Sequence, residues 1–142
     1  MGILKQFEQS EFLGDLTWLE TSGFERYGYY YVPTRCIDGS NNNCKLHVIF
    51  HGTGMGYGLN GDSYIYRSGF LQYAASNDLI ILAPQMNWSL TNIFGTYDVN
   101  VPYKWQYTEP WLGVFTKKED SVIETNKGLQ PVALKKMIDR VL

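Results

Sequence analysis

Residues 46–58 decide the fold, and they read LHVIFHGTGMGYG. The first five are apolar apart from His47, which is typical of a strand that is covered on both faces of a sheet. His51 follows, and then four glycines within seven residues. Glycines at the end of a strand let the backbone approach a ligand closely and expose its N–H groups. This stretch therefore indicates a buried strand that runs into a ligand-binding turn.

A helix and a second strand are predicted next along the chain. Residues 64–76 favour a helix, and residues 79–83 (LIILA) form a second apolar run that Pro84 ends. Four side chains of the predicted helix recur at the spacing of one helix face: Tyr66, Phe70, Tyr73 and Ala74. A strand, a helix and a strand in this order predict a βαβ unit with parallel strands and a right-handed crossover.

The flanking segments complete an α/β pattern. Residues 27–32 (YGYYYV) are rich in strand formers and stop at Pro33. Residues 128–142 favour a terminal helix whose apolar stripe we expect to pack in the core. Residues 85–127 show little periodicity, which for so long a segment favours a functional loop or disorder. Together these segments predict a single α/β segment spanning residues 1–142.

Composition and charge exclude several classes of protein. The chain has 142 residues, with 12 basic and 14 acidic side chains and a net charge of −2. Such a balance without a basic run argues against a nucleic-acid partner. No apolar run approaches the roughly 18–20 residues that span a bilayer, so we expect no membrane partner. The first residues, MGILKQ, lack the apolar segment and cleavage site of a signal peptide.

The HG turn after the first strand is the best candidate for chemistry. In α/β-hydrolases a loop of this kind supplies one backbone N–H of the oxyanion hole. A glycine-rich loop can also cradle a phosphate, although no phosphate-binding lysine follows it here. A third interpretation of the motif is a turn with a purely structural role. The motif alone does not separate these alternatives.

A complete catalytic or metal site cannot be drawn from these residues. None of the eight serines lies in a G-x-S-x-G motif, and the two histidines do not form a convincing triad with them. No metal site is predicted, because the spacing of the histidines and cysteines matches no zinc module. Cys36 and Cys44 flank a turn-rich loop. We predict a disulfide between them, with two free thiols as the alternative.

An ordered set of motifs resembles the polyhydroxybutyrate (PHB) depolymerase family of esterases. Residues 44–52 (CKLHVIFHG) resemble the C-x-L-H-V-x-x-H-G-C stretch of that family. Further similar segments lie in the same order along the chain: residues 7–12 (FEQSEF), 28–33 (GYYYVP) with Cys36, 69–74 (GFLQYA), 77–82 (NDLIIL), 84–85 (PQ) and 127–130 (KGLQ), the last followed by Met137 and Arg140. The upstream segment resembles the circularly permuted, secreted group of the family.

The resemblance implies a fold and an activity. The fold would be a partial α/β-hydrolase, with three αβα layers and a mostly parallel sheet, lacking the strand that carries the nucleophile. The activity would be hydrolysis of polyhydroxyalkanoate or short hydroxyacid esters through a Ser-His-Asp triad. An ester polymer or a small ester would be the partner, and no cofactor is implied. The parent protein would be extracellular, and residues 1–142 would be the C-terminal part of a longer chain.

Site residues follow from the same resemblance. Thr53 occupies the position of the cysteine in the family's HGC motif, so its backbone N–H is the expected oxyanion donor. His51, Gly52 and Gly54 would support that turn. Tyr97 corresponds to part of a tryptophan-rich substrate loop, and Trp105 could replace a lost ring, so we expect both side chains to contact substrate. The alternative is a degenerate or truncated hydrolase-like domain that binds without catalysis.

Overall fold

The computed structural model of the protein describes residues 2–13, 23–41, 43–88, 95, 97, 106–109, 114–116 and 129–141. The strands are β1 (Gly2–Glu8), β2 (Tyr27–Pro33), β3 (Lys45–Val48), β4 (Leu79–Ala83), β5 (Gln106–Glu109) and β6 (Val114–Thr116). A 3₁₀ helix (Gln9–Phe12) follows β1. The α-helices are α1 (Thr34–Ile37), α2 (Tyr57–Asn60), α3 (Ser63–Arg67), α4 (Phe70–Asn77) and α5 (Leu129–Val141).

Four strands form a mixed sheet in the order β1-β2-β4-β3. The pairs β1–β2 and β2–β4 are antiparallel, whereas β3 and β4 are parallel as the βαβ pattern predicts. The expectation of a mostly parallel sheet was wrong for the described strands. The physical reason is that strand propensity marks residues 27–32 as a strand without specifying its direction, and β2 runs opposite to both of its neighbours. Strands β5 and β6 form a separate antiparallel pair.

Among the described residues, strand β4 contributes to both hydrophobic core clusters. Leu82 lies in one core cluster, whereas Ile81 and Ala83 lie in the other. Successive side chains of a strand point to opposite faces, so a continuous apolar run can bury both faces at once. Helices α3 and α4 contribute Ile65 and Ala74 to the second cluster. The described residues therefore form the three layers expected of an αβα fold.

Helix α5 covers the other face of the sheet. Met137 is 1% exposed and packs with Leu82 in the first core cluster, with three half-buried residues of the predicted stripe beside it: Leu134, Ile138 and Val141. The guanidinium of Arg140 lies 5.6 Å from the centre of the Phe12 ring, at the 3₁₀ helix. The prediction that this stripe packs in the core is confirmed.

The predicted helix over residues 64–76 is two helices. Gly69 adopts a φ of 83° and separates α3 from α4. This break changes the face that each half presents, so Tyr66 and Tyr73 of the predicted stripe are exposed while Ala74 is buried. The periodicity was read across a break in the helix axis, and for that reason the predicted stripe was wrong at both tyrosines.

Strand β3 was expected to be covered on both faces, and this was also wrong for the described part of the chain. Lys45 and His47 are exposed, whereas Leu46 and Val48 are half-buried. Among the described residues β3 pairs only with β4, so it forms an edge of the described sheet. An edge strand loses cover that an equally apolar central strand retains.

Gly69 offers a test of the helix break. Replacing Gly69 with alanine should lower the free energy of unfolding by about 1 kcal/mol, because a side chain disfavours positive φ. An added Cβ would meet no atom within 4 Å, so backbone strain is the only cost. Gly58 is the matched control, because it lies inside α2 with ordinary φ and no contact under 3.5 Å. Denaturant unfolding of both variants measures the difference, and equal stabilities would contradict the assigned break.

Candidate oxyanion site

The candidate site lies where the chain leaves the carboxyl end of β3. Ile49 continues the pairing beyond the strand by donating its N–H to the Leu82 carbonyl at 2.9 Å. Phe50 then turns outward and is 48% exposed, whereas His51 turns inward and is 4% exposed. This alternation continues the period of the strand into the loop. It delivers the next residues to the surface directly after a buried anchor.

Residues 52–55 form a tight turn with an exposed tip. The Met55 N–H donates to the Gly52 carbonyl at 3.0 Å, which closes the turn. Gly54 has a φ of 71°, which is the conformation that favours glycine at the third position of a type II turn. Thr53 is exposed at the second position. Among the described residues, none accepts a hydrogen bond from the Thr53 N–H.

His51 anchors the turn through both of its ring nitrogens. Nδ1 lies 2.9 Å from the Gly52 carbonyl oxygen and donates to it. Nε2 accepts a hydrogen bond from the Met86 backbone N–H at 3.0 Å. This pair of contacts requires a neutral ring with its proton on Nδ1. Burial also lowers the pKa of His51, which favours the same neutral form of the ring.

Gly56 is required for close packing behind the turn. A Cβ at this position would lie 2.6 Å from the Met86 carbonyl oxygen and 2.9 Å from Cε1 of His51. Both contacts are shorter than van der Waals separation, so only glycine fits without displacing the backbone. Two glycines of the 46–58 stretch are therefore required for different reasons. Gly54 adopts a positive φ, and Gly56 allows a close approach of the backbone.

Tyr97 lies against the same histidine. Its ring centre is 4.8 Å from that of His51 and 4.8 Å from that of Phe50. Its hydroxyl donates to the Pro84 carbonyl, and burial raises its pKa. The fold thus brings Tyr97 to the candidate site, where it packs behind the turn and also contacts an exposed ring.

The remaining site residues predicted from the sequence are Trp105, Cys36 and Cys44. Trp105 lies outside the described residues. Cys36 and Cys44 are joined in a disulfide, so the prediction of a bridge is confirmed and the free-thiol alternative was wrong. Cys44 directly precedes β3, so the bridge lies at the opposite end of that strand from the turn.

Sequence reasoning missed two buried residues behind the site. Gln9 and Gln85 are 0% and 1% exposed, and they hydrogen-bond to each other across 76 residues of chain. Gln9 belongs to the F-x-Q segment and Gln85 to the P-Q segment, both of which resemble segments of the PHB depolymerase family. The signal was therefore present in the motif letters, but no pairing between distant glutamines follows from periodicity.

His51 predicts a pH dependence of stability. Its folded pKa lies below the ordinary value of about 6.5, so the unfolded chain binds a proton that the folded chain does not. The free energy of unfolding therefore falls as the pH is lowered through about 6.5. We expect wild type to lose about 1 kcal/mol more than the His51→Gln variant between about pH 7.5 and 5.5. Urea unfolding at both pH values measures this difference, and parallel losses would contradict the neutral ring.

The chain is similar in sequence to known polyhydroxybutyrate depolymerases. No family model matches the chain. It is 30% identical to a poly(3-hydroxybutyrate) depolymerase of Delftia acidovorans over 96% of its own length and 23% of the relative. A polyhydroxybutyrate depolymerase of Talaromyces funiculosus is 39% identical over 45% of this chain and 19% of the relative. The aligned parts therefore make up less than a quarter of the length of either curated relative.

Two solved structures share the fold. A serine-to-alanine variant of a PHB depolymerase, complexed with an R3HB trimer, matches with a TM-score of 0.69 and 25% identity. The PHB depolymerase of Penicillium funiculosum matches with a TM-score of 0.67 and 24% identity. Each match covers nearly all of this chain and 40% of the solved chain. A layered sheet with a glycine turn after an inner-facing histidine is α/β-hydrolase-like. More particularly, the curated relatives and the solved structures both point to the PHB depolymerase family.

Proposed function

We propose that the protein is a carboxylic ester hydrolase of the PHB depolymerase type. The proposal rests on one observation, which is the exposed 52–55 turn. Among the described residues, none accepts a hydrogen bond from the Thr53 N–H of this turn. In acyl transfer, such a donor stabilises the negative charge that develops on the carbonyl oxygen. Thr53 N–H is the proposed donor, with Gly52, Gly54 and His51 as the supporting loop.

A fixed donor is worth more than a mobile one, because it requires no reorganisation during the reaction. Two features support rigidity at this turn. Its carbonyl at Gly52 accepts from both His51 and the Met55 N–H. The histidine is itself held by the Met86 N–H. The N–H of Thr53 is therefore presented from an anchored turn.

His51 is not proposed as the catalytic base. Its Nδ1 proton is engaged with Gly52, and its Nε2 lone pair accepts from Met86. A general base needs a free lone pair within reach of the nucleophile. His47, the other histidine of these residues, is exposed on β3. We propose that the Ser-His-Asp triad belongs to a part of the protein outside these 142 residues, because they contain no G-x-S-x-G motif.

The proposed substrate is a polyhydroxyalkanoate or a short hydroxyacid ester. The names of the relatives support this class, as does the R3HB trimer in one related structure. Phe50, Met55 and Tyr57 are exposed around the turn and would offer apolar contacts to an acyl chain. Tyr97, which contacts Phe50, remains our candidate for substrate contact together with Trp105.

We also propose that the parent protein is extracellular. The disulfide supports this location, because such bonds persist mainly in oxidising compartments. In the part of the chain that the structure describes, no helix has the length and apolar character needed to cross a membrane.

Hydrolysis of a defined oligoester tests the function. The protein as it is naturally produced should release 3-hydroxybutyrate from an R3HB trimer, and a serine-directed phosphonate should stop the release. A related amide substrate serves as the control for ester preference. A folded protein that binds the trimer without hydrolysing it would overturn the proposal and favour the non-catalytic alternative.

A further inference from the structure

The carboxamide of Gln9 is completely buried, and both its nitrogen and its oxygen are hydrogen-bonded. Its Nε2 donates to the Glu25 carbonyl at 2.6 Å and to the Gln85 carbonyl at 2.9 Å. Its Oε1 accepts from the Gln85 N–H at 3.0 Å. One side chain thus pairs with both backbone groups of Gln85, as a neighbouring strand would.

The segment held by Gln9 leads directly to the candidate site. The residue after Gln85 is Met86, whose N–H donates to Nε2 of His51. His51 in turn donates to the Gly52 carbonyl at the start of the turn. Three consecutive sets of hydrogen bonds therefore connect Gln9 to the turn that presents Thr53.

The surrounding backbone is shaped to admit this carboxamide. A Cβ on Gly28 would lie 2.7 Å from Oε1 of Gln9, so a larger residue at position 28 would displace it. The Gln9 N–H also donates to the Arg26 carbonyl at 2.8 Å. The side chain is consequently held at its base as well as at its tip, and it has little freedom to relax if Gln85 moves.

We propose that Gln9 is a positioning residue for the 52–55 turn, acting through the Gln85–Met86 backbone and His51. The inference rests on the proposed function for its catalytic consequence, but its structural consequence is independent of activity. Without the pairing, the Met86 N–H loses its alignment with His51. The imidazole then loses the contact that holds its proton on Nδ1, and the Gly52 carbonyl loses its anchor.

Gln9→Met tests the proposal, because methionine keeps the volume of glutamine and removes all three hydrogen bonds. We expect the ring ¹⁵N shifts of His51, in the protein as it is naturally produced, to move away from those of the Nδ1–H tautomer. With the R3HB trimer we expect kcat to fall about tenfold at unchanged KM, as a displaced donor predicts. Gln6→Met is the control, because Gln6 lies on the preceding strand β1 and makes one hydrogen bond, to the Tyr29 hydroxyl, away from Gln85. It should leave both readouts unchanged.

The two readouts separate the possible failures. An unchanged His51 tautomer in folded Gln9→Met would overturn the positioning role. A second outcome is that Gln9→Met shifts the tautomer of His51 while the wild-type protein hydrolyses no ester. That outcome would support the positioning role and overturn only the proposed function. If the variant does not fold, hydrogen exchange on wild type decides. The Gln85 and Met86 amides should then open together, and much faster exchange at Met86 would overturn the proposal.

Discussion

Replacing Thr53 with proline should lower kcat on an ester substrate by about 10²–10³-fold. This is the range observed when one oxyanion donor is removed. Proline lacks a backbone N–H, and it is favoured at the second position of β-turns, which is the position of Thr53. Gly52 precedes it and tolerates the restriction that proline imposes on its neighbour. The substitution therefore deletes the donor and keeps the turn.

Thr53→Ala is the control for this experiment. It removes the hydroxyl and the methyl group but keeps the backbone N–H, so we expect an activity close to that of wild type. Steady-state kinetics of both variants, with unfolding curves to verify the fold, give the comparison. Equal activity of the two variants would contradict a backbone oxyanion donor at this position. A large loss in Thr53→Ala alone would assign the chemistry to the side chain.

Removal of the Cys36–Cys44 disulfide should lower the free energy of unfolding by about 2–3 kcal/mol. The two cysteines are eight positions apart in the sequence. Closing a loop of this length lowers the conformational entropy of the unfolded chain by an amount worth about 2–3 kcal/mol. Asp78, directly after α4, contacts one residue of this loop and the residue that precedes it. Arg35 lies 2.8 Å from one carboxylate oxygen of Asp78, and Asn41 donates to the other at 2.8 Å. We expect these contacts to loosen when the bridge is absent.

A double replacement with serine tests this prediction. Denaturant unfolding should give the same stability for the Cys36→Ser/Cys44→Ser variant and for wild type in reductant. Reductant should have no effect on the variant, which controls for indirect effects of the reagent. An oxidised wild type no more stable than the variant would contradict the prediction. The ester hydrolysis of the variant should remain near that of wild type in the folded state, because the bridge and the turn lie at opposite ends of β3.

Local patterns predicted the elements whose signals lie within one segment. Strand β4 was expected at residues 79–83 and spans Leu79–Ala83, because five apolar residues before a proline leave few alternatives. The terminal helix was expected at residues 128–142 and spans Leu129–Val141. The parallel pairing of β3 and β4 also followed from local order, since a helix between two strands returns the second strand in the same direction.

Patterns that extend across a glycine or a sheet edge were less informative. The stripe predicted over residues 64–76 assumed one continuous helix, but the helix breaks at Gly69, where a positive φ changes the helix axis. The cover of β3 depends on which strands lie beside it, and its own residues do not contain that information. The site was predicted in part. The turn and its histidine were visible as a motif, and Gln9 was one of the letters of the F-x-Q segment. The pairing of Gln9 with Gln85 was not visible, because the two residues are 76 positions apart.

By itself, the sequence determined the βαβ unit, the position of the glycine turn, the spacing that allows the disulfide and the resemblance to PHB depolymerases. These depend on residues close together in the chain, where side-chain period, backbone freedom and loop length act directly. Only the tertiary structure decided the strand order, the tautomer of His51 and the support of its turn by Met86. Those features depend on hydrogen bonds and burial between distant segments, and such contacts acquire their strength only after water has been excluded from around them.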